Sequence, residues 1–374
     1  MPVPYKLPSI PEIKFLCLSI SFLISVSSFN SSNNYNTFFC YLWFHFFYFS
    51  AKICIANLGF YSTKEIFFMN QGKNYYKGML IASTGAISWG LSGTMSQYLF
   101  MNYNLNPAWL TMVRMLGAGA FLLVLSLIRQ KGEAFAIFKN KKDTLHLIVF
   151  AILGLLFCQY AYLSAIENSN SGTATVLQTL SVVMVPFFIC ISKKKKPEIK
   201  EIFSIALALL GVFLIATHGN PSQMVLSKGG LFWGLCAALA AVFYSTLSER
   251  LVATWGSQIV TGFGMLIGGV AFTAIGRPWH FYVPLDKKGI FVLILIILIG
   301  TTMAFLCFLK GVSVIGPDKA LLIGALEPVS ATVISFLWLH TAFTIADIIG
   351  FVCILATVVI LTGSGNKEEN KAQA

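Results

Sequence analysis

Two charged residues stand inside long apolar runs, and they are where chemistry is to be sought first. Glu327 lies about nine residues into the apolar segment 318–339, and Arg114 about seven residues into 107–128. A charge deep in hydrocarbon is costly and is kept where a partner or a water-filled path offsets the cost. Glu327 could carry a proton or hold a substrate ammonium. It could equally be a fixed structural carboxylate beside Pro328. Arg114 could meet a substrate carboxylate, pair with Glu327, or snorkel toward the headgroups. Both charges in one cavity would suit a zwitterion, each end meeting its opposite.

Around these stand residues of milder chemistry. Trp89, Phe243 and Tyr244 fall deep in apolar segments, where rings line a cavity or pack helices. Gln97, Gln159, Tyr160 and Gln178 offer hydrogen bonds inside the same runs, as ligand contacts or as glue between helices. Gln178 is the best placed of these. Glu249 and Arg250 close one segment and read as an anchor or gate. Pro328 and Pro186 fall inside apolar segments, where proline kinks a helix.

Enzyme chemistry finds no foothold. The sequence has no HExxH, no Walker loop and no nucleotide signature. Its eight cysteines show no CxxC spacing, and its five histidines do not cluster. No metal and no cofactor are expected, and no span is polar enough for a channel pore.

Composition says what must position these residues. Of the 374 residues, 57% are hydrophobic and 11% charged, against roughly 25% charged in soluble domains. Such a chain cannot wet its own surface, which excludes disordered, nucleic-acid-binding and ordinary soluble-enzyme classes. The segments 78–99, 107–128, 144–163, 171–191, 201–217, 229–248, 256–275, 289–309, 318–339 and 342–361 are continuously apolar. Their lengths suit membrane helices rather than the alternating strands of a barrel. The predicted fold class is an all-α integral membrane protein of ten transmembrane helices.

Lysine and arginine set the orientation. Arg129, Lys131, Lys139, Lys141 and Lys142 follow the second span, and Lys193–Lys196 with Lys200 follow the fourth. Arg277, Lys287 and Lys288 dissent, but most of the positive charge puts both ends of the ten-helix core in the cytoplasm. Five plus five spans suggest a duplication, 77–217 and 228–362, with a tail 363–374. Lys77-Gly78 is matched by Lys228-Gly229, and Ala174–Leu180 overlays Ala320–Leu326. An odd number of helices per repeat makes the two halves insert with opposite topology.

Several short motifs sharpen this frame. They are Ile87-Ser88-Trp89-Gly90, Met112-Val113-Arg114, Ala174-Thr175-Val176-Leu177-Gln178, Ala241-Val242-Phe243-Tyr244 and Glu327-Pro328-Val329. Over residues 77–362 the chain resembles the EamA family of the drug/metabolite transporter superfamily. The resemblance implies a multi-pass carrier in a bacterial inner membrane, built as two inverted five-helix repeats and working by alternating access. It implies small metabolites as solutes, including amino acids or related zwitterions and amines. The alternative is a polytopic scaffold or receptor-type protein that transports nothing. Expected partners are the solute and the lipid bilayer, with a coupling proton and a second copy of the chain as open options. In one respect the chain departs from the family's pattern. Where the first repeat would place a proline matching Pro328 stands Val182, and the proline comes at Pro186, which would set the first kink about one turn deeper.

Residues 1–68 are of another character. They hold 12 of the 33 phenylalanines and an Asn/Ser/Tyr-rich stretch at Asn30–Asn36. They read as extra hydrophobic segments or, preferably, as sequence upstream of a true start at Met69, whose following residues form a short basic leader.

Overall fold

The computed structural model describes residues 71–185, 198–220, 224–277, 280–281, 283–316, 320 and 323–372, with side chains left out at 71–75, 129–133 and 362–372. The segment 1–68, Met69, Pro186 and Lys193–Lys196 therefore lie outside the described residues.

Among the described residues the chain is helical throughout, with no strand. The helices are α1 (Gln71–Tyr103), α2 (Pro107–Gln130), α3 (Lys141–Glu167), α4 (Ser171–Val185), α5 (Ile199–Thr217), α6 (Lys228–Trp255), α7 (Ser257–Gly276), α8 (Lys287–Ile315), α9 (Leu326–Leu339) and α10 (Ile345–Ala372). Six of them, α2, α3 and α5 to α8, are long and apolar enough to cross a bilayer, while α4, α9 and the apolar part of α10 are shorter. Lys131–Lys139 forms a 3-10 segment rather than a loop.

Helix ends follow local chemistry. Asn140, Asn170, Ser227 and Asp286 cap α3, α4, α6 and α8 with side-chain oxygens on backbone N–H groups. Pro107 occupies the first turn of α2, where its missing N–H costs nothing. His218, Arg277 and His340 end α5, α7 and α9 in the left-handed conformation, so Arg277 serves as a helix cap. Asp286 also accepts a hydrogen bond from the Tyr103 hydroxyl at the end of α1. That bond, with those from the α8 backbone, holds its carboxyl below the usual aspartate range. The stabilisation is present above the ordinary value and fades as pH falls through the lowered one.

The most extensive packing contacts fall into matched sets. α1 packs against α8 and α9, and α6 packs against α3 and α4. α2 meets α7, α4 meets α9, and α5 meets α10. Exchanging each of α1–α5 with the helix five places later leaves this list unchanged. The irregularities correspond as well. α3 widens into a π-helical stretch at Phe150–Leu156, and α8 does so at Leu298–Met303. α4 breaks at Thr179–Leu180, and α9 begins after a turn at Ala325.

That last pair bears on the expected displacement of the kink. The break in α4 falls where the overlay of Ala174 on Ala320 puts it, in register with α9, although Val182 stands opposite Pro328. Leu180, Val182 and Val183 donate to the carbonyls three residues back, so the helix tightens without a proline.

Polar glue gathers at the end of the bundle where α1 finishes. The Gln97 carbonyl accepts from the Ser171 N–H and hydroxyl, both 2.9 Å, and from the Ser335 hydroxyl at 3.0 Å. Its amide donates to Thr341 at 3.1 Å. One side chain thus ties α1 to α4 and α9, and Gln97 is structural. At the opposite end, buried Asp143 accepts from Arg250, Trp255 and Asn140 at 3.0–3.1 Å and pins the start of α3 to the end of α6. Arg250 is accordingly an anchor within the bundle. Replacing Gln97 by Met keeps the volume and orphans buried donors, so we expect a loss of about 1–3 kcal/mol. Thermal unfolding in detergent reads this as a melting temperature lower by several degrees.

Candidate functional site

A cavity of about 230 Å³ opens where α1, α2, α3, α4, α6, α8, α9 and α10 converge. It has room for roughly eight waters at liquid density. The two helix breaks form part of its wall, through Gln178, Thr179 and Ser181 on one side and Gly324, Ala325 and Glu327 on the other.

Pro328 explains the position of Glu327. It sits in the first turn of α9, where no intrahelical bond to its nitrogen is needed. Because it has no N–H, the preceding helix cannot run through, and the chain turns at Ala325. Glu327 is left at a helix N-terminus, whose unpaired N–H groups favour negative charge. Gly90 admits this turn against α1, since a Cβ there would sit 2.5 Å from the Glu327 carbonyl oxygen. The half-buried carboxylate has no hydrogen bond or ion pair to any described residue and lines the cavity.

Arg114 comes from α2. Only 3% of it is exposed, so it turns inward rather than snorkelling. Its Nε donates to Thr301 Oγ1 at 2.8 Å and its Nη2 to the Gly300 carbonyl at 3.5 Å. Both acceptors lie in the π-helical stretch of α8. Its Nη1 has no hydrogen-bond partner among the described residues. Arg114 and Glu327 line one cavity and attract across it without direct contact.

The rest of the wall is aromatic and weakly polar. Trp89 packs edge-on against Phe305 and tilted against Phe308, with centroids 5.0 and 4.9 Å apart. Tyr244 joins from α6, and Tyr162 hydrogen-bonds Thr175 at 2.9 Å. Gln178 Nε2 points to the Cys158 sulfur at 3.2 Å, and Gln159 lies beside them.

Of the residues singled out from sequence, Glu327, Arg114, Gln178, Trp89, Tyr244, Pro328 and Gln159 meet at this cavity. Phe243 does not line it, and Tyr160 packs instead on Trp233 and Phe272. Sequence reading missed Tyr162, Cys158, Phe305, Phe308 and Thr301. Only the proximity of Thr301 to Gly300, a helix breaker inside an apolar run, could have drawn attention to it.

A helical, multi-pass bundle holding a charge-lined cavity at two helix breaks is the form of a membrane transporter. Comparison with known proteins agrees. Residues 76–217 and again 228–363 match the EamA-like transporter family. Over 286 residues the chain is 36% identical to the uncharacterized inner membrane transporter YicL of Salmonella typhimurium, covering 76% of this chain and 95% of that protein. An uncharacterized transporter of Methanothermobacter thermautotrophicus is 22% identical over 303 residues, covering 77% of this chain and 87% of the relative. A crystal structure superposes with a TM-score of 0.54 at 17% identity, over 79% of this chain and 99% of the other, a likeness of fold. The chain belongs to the EamA-like transporter family, whose members are transporters and not enzymes.

The close approach at Gly90 gives a test of the site's construction. Gly90→Ala must push the first turn of α9 outward, and we expect it to lower stability by about 1–3 kcal/mol. Gly276→Ala, whose Cβ would meet nothing nearer than 3.6 Å, should leave the melting temperature nearly unchanged in the same detergent.

Proposed function

We propose that the cavity is the solute site of a secondary carrier that moves small metabolites, amino acids or related zwitterions and amines among them, by alternating access. The observation that carries this reading is the pair Arg114 and Glu327, which line one cavity without pairing to each other, with Nη1 of Arg114 left without a partner among the described residues. A zwitterion brings the complement of both charges. Aromatic walls at Trp89, Tyr244, Phe305 and Phe308 would accept its apolar body.

Ten spans arranged as two inverted five-helix repeats, 77–217 and 228–362, are part of the proposal. The support is the exchange-symmetric packing, the paired π-stretches and breaks, and the twofold family match. A site at the junction of such repeats can open first to one side and then to the other. The end of the bundle bearing Lys139, Lys141, Lys142 and Arg250 would face the cytoplasm. That would place both ends of the core there and the protein in a bacterial inner membrane. A proton carried on Glu327 would couple solute movement to a pH gradient, and a second copy of the chain is an open partner.

Counterflow in proteoliposomes tests this. Protein loaded with an unlabelled panel of amino acids, amines, nucleosides and carboxylates should accumulate the labelled form of at least one. Glu327→Gln should insert and fold normally, yet lose uptake driven by a pH gradient at least tenfold. Undiminished gradient-driven uptake by this variant would remove the proton-carrier role. Folded protein that exchanges nothing in the panel would remove the transport site itself.

A further inference from the structure

The cavity's cation is held in a way that dictates what it can receive. Thr301 donates its own hydroxyl proton to the Ile296 carbonyl, five residues back along the π-stretch, at 3.0 Å. The hydroxyl is therefore left as an acceptor, and it takes the Arg114 Nε–H at 2.8 Å. Gly300 offers its carbonyl to Nη2 from the same stretch. One edge of the planar guanidinium is committed to α8. The remaining nitrogen, Nη1, is buried, charged and unpaired, on a residue that lines the cavity. An unmet charged donor in such a place costs more than a neutral one. Its planar fork matches a carboxylate.

We propose that the solute must carry a carboxylate, that Arg114 receives it through Nη1, and that Thr301 is the positioning residue that aims the guanidinium. The inference rests on the cavity being the transport site and deepens it. A cavity of about 230 Å³ has room for a solute of the size of leucine. Glu327 would then meet any amine the solute bears, while the carboxylate supplies the requirement. A π-stretch is suited to the task because its geometry presents the Thr301 hydroxyl and the Gly300 carbonyl side by side.

The experiment is calorimetric titration of the full-length protein in detergent with four probes sharing one branched body: leucine, 4-methylpentanoate, 4-methylpentanamide and 3-methylbutylamine. Wild type should bind the two carboxylates and bind the amide at least tenfold more weakly. Arg114→Gln should abolish the difference. Thr301→Val keeps the shape and removes the acceptor, so carboxylate affinity should fall roughly tenfold, the worth of one charge-assisted bond. Thr301→Ser should restore it to within about twofold, and the amine should be indifferent to both changes. A fold that fails in Arg114→Gln leaves the Val and Ser variants to decide. The proposal is overturned if amide and carboxylate bind equally, if neither carboxylate binds, or if Thr301→Val binds carboxylates as wild type does. Counterflow with the same probes separates the two readings. Carboxylates that bind with this selectivity but are not carried would sink the transport reading and leave this one. Solutes carried without need of a carboxylate would do the reverse.

Discussion

A guanidinium and a carboxylate can be held inside an apolar bundle only if something other than hydrocarbon solvates them, and the centre of this structure is organised around that constraint. The protein meets it with a hydroxyl and backbone groups rather than with an ion pair. A π-stretch in α8 turns a hydroxyl and a carbonyl toward Arg114. A helix start in α9 places Glu327 at the positive end of a peptide dipole. Each charge is supported on one side, and the two do not pair with each other. Joining the two directly would satisfy them more fully and would close the cavity to any charged visitor.

The irregular backbone has a second consequence. Regular helices pack closely and transmit little, whereas helix breaks and π-stretches are where two arrangements of one segment lie close in energy. Here they occur in corresponding helices of the two halves: α3 with α8, and α4 with α9. The shape is repeated while the charges are not. Ser181 and Val182 stand where the second half has Glu327 and Pro328, and Arg114 reaches across from α2 to α8. Irregularities that recur in both halves thus accompany a pair of charges that does not.

Much of this was legible in the sequence. Continuous apolar runs marked the helices, and the charges inside them marked Glu327 and Arg114, because burying charge is rare enough to stand out. Pro328 stood out as a proline inside an apolar run, and Trp89 was found with Phe243 and Tyr244 as a ring deep in one. Phe305, Phe308 and Tyr162 were not, since an aromatic residue in an apolar run looks the same whether it faces lipid, a neighbour or a cavity. Phe243 was chosen beside Tyr244 for that reason, and only Tyr244 lines the cavity. The π-stretches were invisible because their causes are tertiary. The α4 break escaped for the opposite reason: a proline at 186 drew the eye, while Thr179–Leu180 tightens without one.

Under the proposed alternating access, one cavity is reached from both sides of the membrane in turn, with the solute in it. Ser181 lines that cavity opposite Glu327, and Ser181→Cys in a background lacking other cysteines gives the most direct test. In oriented vesicles, a membrane-impermeant thiol reagent applied to either side should label this cysteine. A carried solute should protect it from both sides. Labelling confined to one side whatever the solute, or no protection by any solute the protein exchanges, would contradict the account.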